Sequence, residues 1–209
     1  VTGPTGRHVA VLAVRPTHAA PPGVDAEEFR LALLEDTYEV VAGLELVTPA
    51  LAVPLAGDSD AEAVTWPGTV IVRETALGRV FAALHALGAR EAVLVAPDAP
   101  DLPPLLIGKL LRALGDAPAS ATPAAGGGLV ALAARLPLPD WLSAALETVD
   151  LNTADALARL RTAAPRPGLV PTGPGWHRLR TPADVALLDP GLEGWENTRA
   201  LLAGDPLGR

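Results

Sequence analysis

The chain has 209 residues and a formal charge of −8, from 16 Lys plus Arg against 24 Asp plus Glu; at roughly 150 residues per domain it reads as one large domain. Its 49 % apolar content excludes a disordered chain, and only 3 % aromatics leaves Ala, Val and Leu to build the core. The absence of Cys excludes thiol catalysis, disulfides and zinc–thiolate sites, and the acidic balance argues against nucleic acid or an anionic membrane as partner.

Residues 8–14 form a continuous apolar run closed by Arg15-Pro16, the pattern of a strand buried on both faces. The run is too short for a signal-peptide core, so a cytoplasmic location is expected. Asp25 then caps a helix on which Phe29, Leu33, Thr37, Val40, Val41 and Leu44 recur at helical spacing. Residues 46–53 predict a short strand broken by Pro49 and Pro54, and residues 55–68 a flexible surface loop. Residues 69–72 predict a strand, followed by a helix carrying Leu77, Val80, Phe81, Leu84 and Leu87. A second fully buried strand, 92–96, runs into Pro97-Asp98-Ala99-Pro100-Asp101, and a helix follows to about Leu114. This alternation argues an α/β fold with a mainly parallel sheet and right-handed crossovers.

Beyond Ala117 the rhythm changes. The uncharged run 117–134 holds two prolines and three adjacent glycines, which rules out a membrane-spanning helix there. Residues 119–123 and 129–133 predict strands joined by a bend at Gly126-Gly127-Gly128. Short helices are expected over 141–146 and 153–162, a last strand over 168–171, and a helix over 181–188 with Thr181 as cap and Pro182 first. The expected organisation is one domain over residues 1–189 and a tail over 190–209 with a helix around residues 196–203.

Ligands of open α/β sheets bind beyond the carboxyl ends of the strands, a position held here by residues 15–23, 97–102 and the glycine triplet. Asp98 and Asp101 could together hold a hard cation such as Mg²⁺ against phosphates. Asp101 is equally placed to cap the following helix, and Asp98 to close the turn through its own backbone bonds. Arg15 and His18 either touch an anion or form an exposed loop pair. Gly126 and Gly127 either admit a base or sugar close to the backbone or serve the bend alone. Asp36 on the first helix is expected to order a neighbouring loop, and His177 has no visible partner.

The stretch Val93-Leu-Val-Ala-Pro-Asp-Ala-Pro-Asp-Leu102 resembles the Gly-Ser-Asp-Cys-Pro-Asp-Leu signature of bacterial glycosyltransferase-A-like proteins. That group is similar to the nucleotidyltransferases that make molybdenum-cofactor dinucleotides or guanylylate phospholactate. Phe29-Arg-Leu-Ala-Leu-Leu-Glu-Asp-Thr37 resembles its Ala-Phe-Leu-x-Asp-Thr helix, and Leu77-Gly78-Arg79 its Asp-Leu-Gly-x-Arg turn. Pro123 to Gly127 falls where the group has Pro-Ala-x-Asp-Gly-Gly-Tyr. Val149-Asp-Leu-Asn-Thr153 is similar to Ile-x-Trp-Ser-Thr, and Thr181-Pro-Ala-Asp-Val185 to Asp-Thr-Pro-Glu-Asp-Leu. The resemblance implies a three-layer, Rossmann-like nucleotide-diphospho-sugar transferase fold whose N-terminal loop embraces a nucleotide or sugar nucleotide. It implies a divalent metal, Mg²⁺ or Mn²⁺, on Asp98; the candidate substrate contacts of this chain are Arg15, His18, Gly78, Gly126, Gly127 and Arg180.

The chain also departs from that pattern. The first loop has no Lys; Lys109, the one Lys of the chain, lies on the helix after Asp101. Acids of the pattern are replaced by Ala76, Ala125 and Arg180. One Asp alone is a poor Mg²⁺ site. Arg180 could pair with Asp98 in place of the metal, bind phosphate directly, or stay solvated beside the helix cap. Three functional readings follow: a nucleotidyl- or glycosyl-transferase-like protein with an eroded metal and phosphate site, an inactive member acting as a ligand sensor or interaction module, or a metal-independent transferase using Arg180 and Arg15 in place of the ion.

Overall fold

Short runs rich in Ala, Val and Leu form six strands: β1 (Arg7–Leu12), β2 (Thr48–Val53), β3 (Val70–Arg73), β4 (Glu91–Val95), β5 (Ala119–Pro123) and β6 (Leu129–Arg135). The computed structural model describes residues 6–14 and 20–204. One sheet contains all six strands in the order β3-β2-β1-β4-β6-β5. The first four pair in parallel, and β6 runs antiparallel between β4 and β5. Proline does not break β2: pairing with β3 begins only at Ala50↔Val70, so Pro49 sits where the strand has a neighbour on one side only.

Alternation along the strands divides the core in two. Val9 and Val11 of β1 pack with Leu34, Tyr38 and Val41 of α1 (Ala26–Ala42) and with Ile107 and Leu110 of α4 (Pro104–Ala113). The alternate residues Ala10 and Leu12 face Val80, Phe81 and Leu84 of α3 (Leu77–Ala86) on the other side. That side is completed by Leu142 of α5 (Asp140–Ala145) and Leu160 of α6 (Ala156–Ala163). Helices on both faces of a mainly parallel sheet make three layers.

Local chemistry explains most boundaries. Asp25 accepts hydrogen bonds from the amides of Glu27 and Glu28 and so caps α1. Residues 182–187 form a 3₁₀ turn with a reciprocal Thr181–Asp184 capping box. The segment 55–68 is not all loop, because Asp58 caps a short helix, α2 (Ser59–Ala63). Residues 168–171 are not a strand: Pro167–Leu169 is a 3₁₀ turn, and the pairing with β5 is a single bridge, Ala121↔Thr172. No helix among the described residues is long and apolar enough to cross a membrane.

The last helix, α7 (Glu196–Ala203), is held by the first. Trp195, at its N-cap, offers no side-chain cap and packs with Phe29 and Leu33 of α1. Asp36 of α1 supplies the acceptor instead, taking hydrogen bonds from the Asn197 amide (3.1 Å), Asn197 Nδ2 (2.9 Å) and the Thr198 amide (2.8 Å). Burial raises the Asp36 carboxyl from the ordinary 3.8 to about 6, against the opposing pull of the Thr198 and Asn197 hydrogen bonds. Between these values the folded chain binds more protons than the unfolded one, so this group's contribution falls as pH rises from 3.8 to 6 and is level above. Urea unfolding from pH 4 to pH 7 should therefore show wild type losing stability relative to Asp36→Asn, by on the order of 2–3 kcal/mol at 1.36 kcal/mol per pKa unit. A constant difference across that range would remove Asp36 as the titrating group.

Candidate functional site

The carboxyl ends of β1 and β3 open onto a cleft of about 400 Å³ bounded by Leu12, Val14, Thr75, Ala76 and the 146–152 segment. A groove of about 480 Å³ continues past Gly78 and Arg79, sharing Ala76, Leu146 and Glu147 with the cleft. Ala76 caps α3 without a side-chain hydrogen bond, so the helix presents an uncapped N-terminus there. Gly78 lies in that first turn, and a Cβ on it would meet Leu146 Cβ at 3.7 Å, ordinary contact.

Asp98 follows β4 at the same end of the sheet and is 1 % exposed. Its partner is Arg178, not Arg180. Arg178 Nε donates to Asp98 Oδ1 at 2.6 Å, and its Nη2 donates to Oδ2 at 2.9 Å. The rest of the guanidinium is also engaged: Nη1 donates to the carbonyls of Leu129 (3.1 Å) and Leu151 (3.0 Å), and Nη2 to Asn152 Oδ1 (2.9 Å). All five N–H donors of an arginine are thereby used. The clamp is closed by the Leu179 amide, which donates to the Asp98 carbonyl at 2.8 Å. Asp150 shapes the acceptors by taking hydrogen bonds from the Asn152 amide (2.8 Å) and the Thr153 amide (2.7 Å).

Asp101 does not cap the next helix. Helix α4 has Pro103 at its N-cap, without a side-chain bond. Asp101 instead accepts from Trp176 Nε1 (3.1 Å) and lies 2.9 Å from His177 Nε2, with the Trp176 and His177 rings stacked at 4.8 Å. Three consecutive residues, 176 to 178, therefore tie down both carboxylates of the 97–102 segment. His177 has a partner after all, although spacing could not have shown it.

Arg180 lies two residues beyond Arg178 and donates through Nη2 to the Ala125 carbonyl at 3.0 Å. Its guanidinium borders the triplet: Nη1 is 3.6 Å, and the Asn152 carbonyl carbon likewise 3.6 Å, from where a Cβ on Gly128 would stand. The three glycines have φ of 79°, 97° and 79°, which only glycine adopts freely. A Cβ on Gly127 would come 3.0 Å from the Ala154 carbonyl oxygen, so the 151–154 backbone fills the space beside this bend. Arg15 and His18 lie outside the described residues.

A divalent cation on Asp98 does not fit these residues. Both carboxylate oxygens already face a guanidinium within hydrogen-bond distance, and the neighbouring Asp101 is engaged by Trp176 and His177. Among the described residues no group of three His, Asp or Glu side chains is placed to hold a metal.

No protein-family profile matches the chain, and no curated protein matches it. Solved structures do. The chain superposes on a candidate nucleotide-diphospho-sugar transferase from Desulfovibrio desulfuricans with a TM-score of 0.69 and 19 % identity, covering 95 % of this chain and 97 % of that one. It superposes on 4-diphosphocytidyl-2C-methyl-D-erythritol synthase from Anaerococcus prevotii at 0.61 and 14 % identity, covering 87 % and 93 %. Against the Mycobacterium tuberculosis protein Rv0371c in complex with manganese the values are 0.52 and 18 % identity, with coverage of 94 % and 97 %. Together with the sheet order and the three layers, these likenesses show that the chain has the nucleotide-diphospho-sugar transferase fold.

Proposed function

We propose that this chain is a nucleotidyl- or glycosyl-transferase-like protein that binds a nucleotide or sugar nucleotide in the cleft at the carboxyl ends of β1 and β3, with no metal on Asp98. The observation that carries the reading is the Arg178–Asp98 pair, a guanidinium where the resemblance puts Mg²⁺ or Mn²⁺. Arg178 has no donor left for a ligand, so it acts as a positioning residue that fixes the cleft wall at Leu151 and Asn152. Phosphate contacts fall to other groups: Arg180 beside the glycine triplet, Arg79, whose side chain is 77 % exposed and 3.5 Å from Glu74, and the uncapped N-terminus of α3 at Gly78. Arginine and backbone amides can carry phosphoryl charge without a cation held by the protein.

The test is a thermal-shift and calorimetry panel of nucleoside triphosphates and nucleotide sugars, run with Mg²⁺, with Mn²⁺ and with EDTA. A ligand at 100 times its Kd should stabilise by about 2.7 kcal/mol. The expected result is a shift that survives EDTA and weakens by about ten-fold in affinity in Arg180→Ala, a charge-assisted phosphate contact. Silence from every nucleotide would sink the reading. So would a shift that requires the metal and vanishes in Asp98→Asn.

A further inference from the structure

The sheet face opposite the cleft carries a second hollow, of about 680 Å³, between α1, the segment before β3, the start of α4 and residues 192–196 at the start of α7. Its walls are apolar: Val40, Leu102, Pro103 and Leu192. Trp66 also lines it, 51 % exposed and held edge-on by the Tyr38 ring at 6.4 Å. Among the described residues, every charged one lining it is acidic: Glu39, Asp101, Glu193 and Glu196. The volume lies within the usual range for small-molecule sites, apolar with a few convergent polar groups.

We propose that this hollow binds a small organic cation, an ammonium group carried on an apolar body. The apolar walls take the body, Trp66 offers a π-face to the cation, and Glu39, Glu193 and Glu196 supply complementary charge from two elements distant in sequence. The charge demand is visible in Glu39, whose carboxyl is held above its ordinary value by burial and by the like charges of Glu35 and Glu196. The arginine nearest in sequence, Arg199, is turned onto the Trp195 ring at 4.3 Å and the Leu192 carbonyl at 2.8 Å. The site shares no lining residue with the cleft and does not depend on the nucleotide reading.

The probe is 4-phenylbutylamine, titrated calorimetrically into the full chain beside 4-phenylbutanol and 4-phenylbutyrate. Saturable binding of the amine is expected, at least about ten-fold tighter than the alcohol, with no binding of the carboxylate. Glu39→Gln and Glu196→Gln, conservative changes, should each weaken it by about three- to five-fold, and 0.5 M salt should weaken it further. Trp66→Ala should weaken it by about ten-fold and Trp66→Phe by less. Equal affinity for amine and alcohol would overturn the proposal, as would amine binding untouched by the Glu39 and Trp66 variants. Saturation by a Lys-rich peptide but not by the amine would overturn it too.

Discussion

Arg178→Ala is expected to be among the most destabilising single substitutions in the chain, by about 3–5 kcal/mol, the range for breaking a buried ion pair from one side. The cost is not the loss of attraction alone. Asp98 is 1 % exposed and would be left as a buried carboxylate without its two charge-assisted hydrogen bonds. The carbonyls of Leu129 and Leu151 and the Asn152 side chain would also lose a donor. For a domain of this size each kcal/mol moves Tm by roughly 2–4 °C, so scanning calorimetry should show a drop of roughly 6–20 °C. The apolar double variant Asp98→Leu/Arg178→Met should recover much of this, because it buries neither charge. Arg178→Ala should also uncover Asp98, so that Mn²⁺ raises the Tm of the variant while leaving wild type unchanged. Equal Mn²⁺ response in both proteins would show that the guanidinium does not stand in a cation's place.

That pair also marks where the sequence stops being legible. Continuous apolar runs announced β1 and β4 because parallel strands covered on both faces need no polar alternation. Asp25 and Thr181-Pro182 announced their helix starts because caps are read within three residues. Asp98 stood out as an acid ending a buried strand, but its partner lies 80 residues away. The resemblance drew attention to Arg180, where an acid is missing. Residues two apart would share a face if the chain were extended, so periodicity alone does not choose between 178 and 180. The deciding fact is burial: Arg178 is 4 % exposed, with carbonyls of two other segments waiting for its donors. Asp101 failed as a cap for a similar reason. Its competing partners, Trp176 and His177, come from a distant segment, and Pro103 starts the helix without it. Local pattern points Asp36 only to a neighbouring loop; its acceptor role for α7 spans 161 residues and is equally invisible to it.

The glycine triplet should produce a steep gradient over three adjacent positions. Each has positive φ, so alanine carries a backbone penalty of about 1–2 kcal/mol at any of them. What differs is the space. At Gly126 the nearest obstacle is Arg180 Nη2, 3.5 Å away at the end of a flexible side chain, so Gly126→Ala should cost little beyond that penalty. At Gly127 the Ala154 carbonyl oxygen stands 3.0 Å from the new Cβ, and the 151–154 backbone must yield slightly. At Gly128 the Leu151 carbonyl oxygen would lie only 2.5 Å from it, a contact no rotamer relieves. That same oxygen accepts from Arg178 Nη1 and from the Leu129 amide at 2.9 Å. Moving it loosens the clamp on Asp98 and shifts the cleft wall at Asn152. Gly128→Ala is therefore expected to lose roughly 3–5 kcal/mol, in the range of other steric and buried-network failures, with Gly127→Ala between the two. Urea midpoints for the three alanine variants check the order. The nucleotide thermal shift then separates two roles for the triplet: if Gly126→Ala abolishes binding at no more than the backbone penalty in stability, the bend contacts the ligand itself, whereas loss confined to Gly128→Ala places its role in holding residues 151–152.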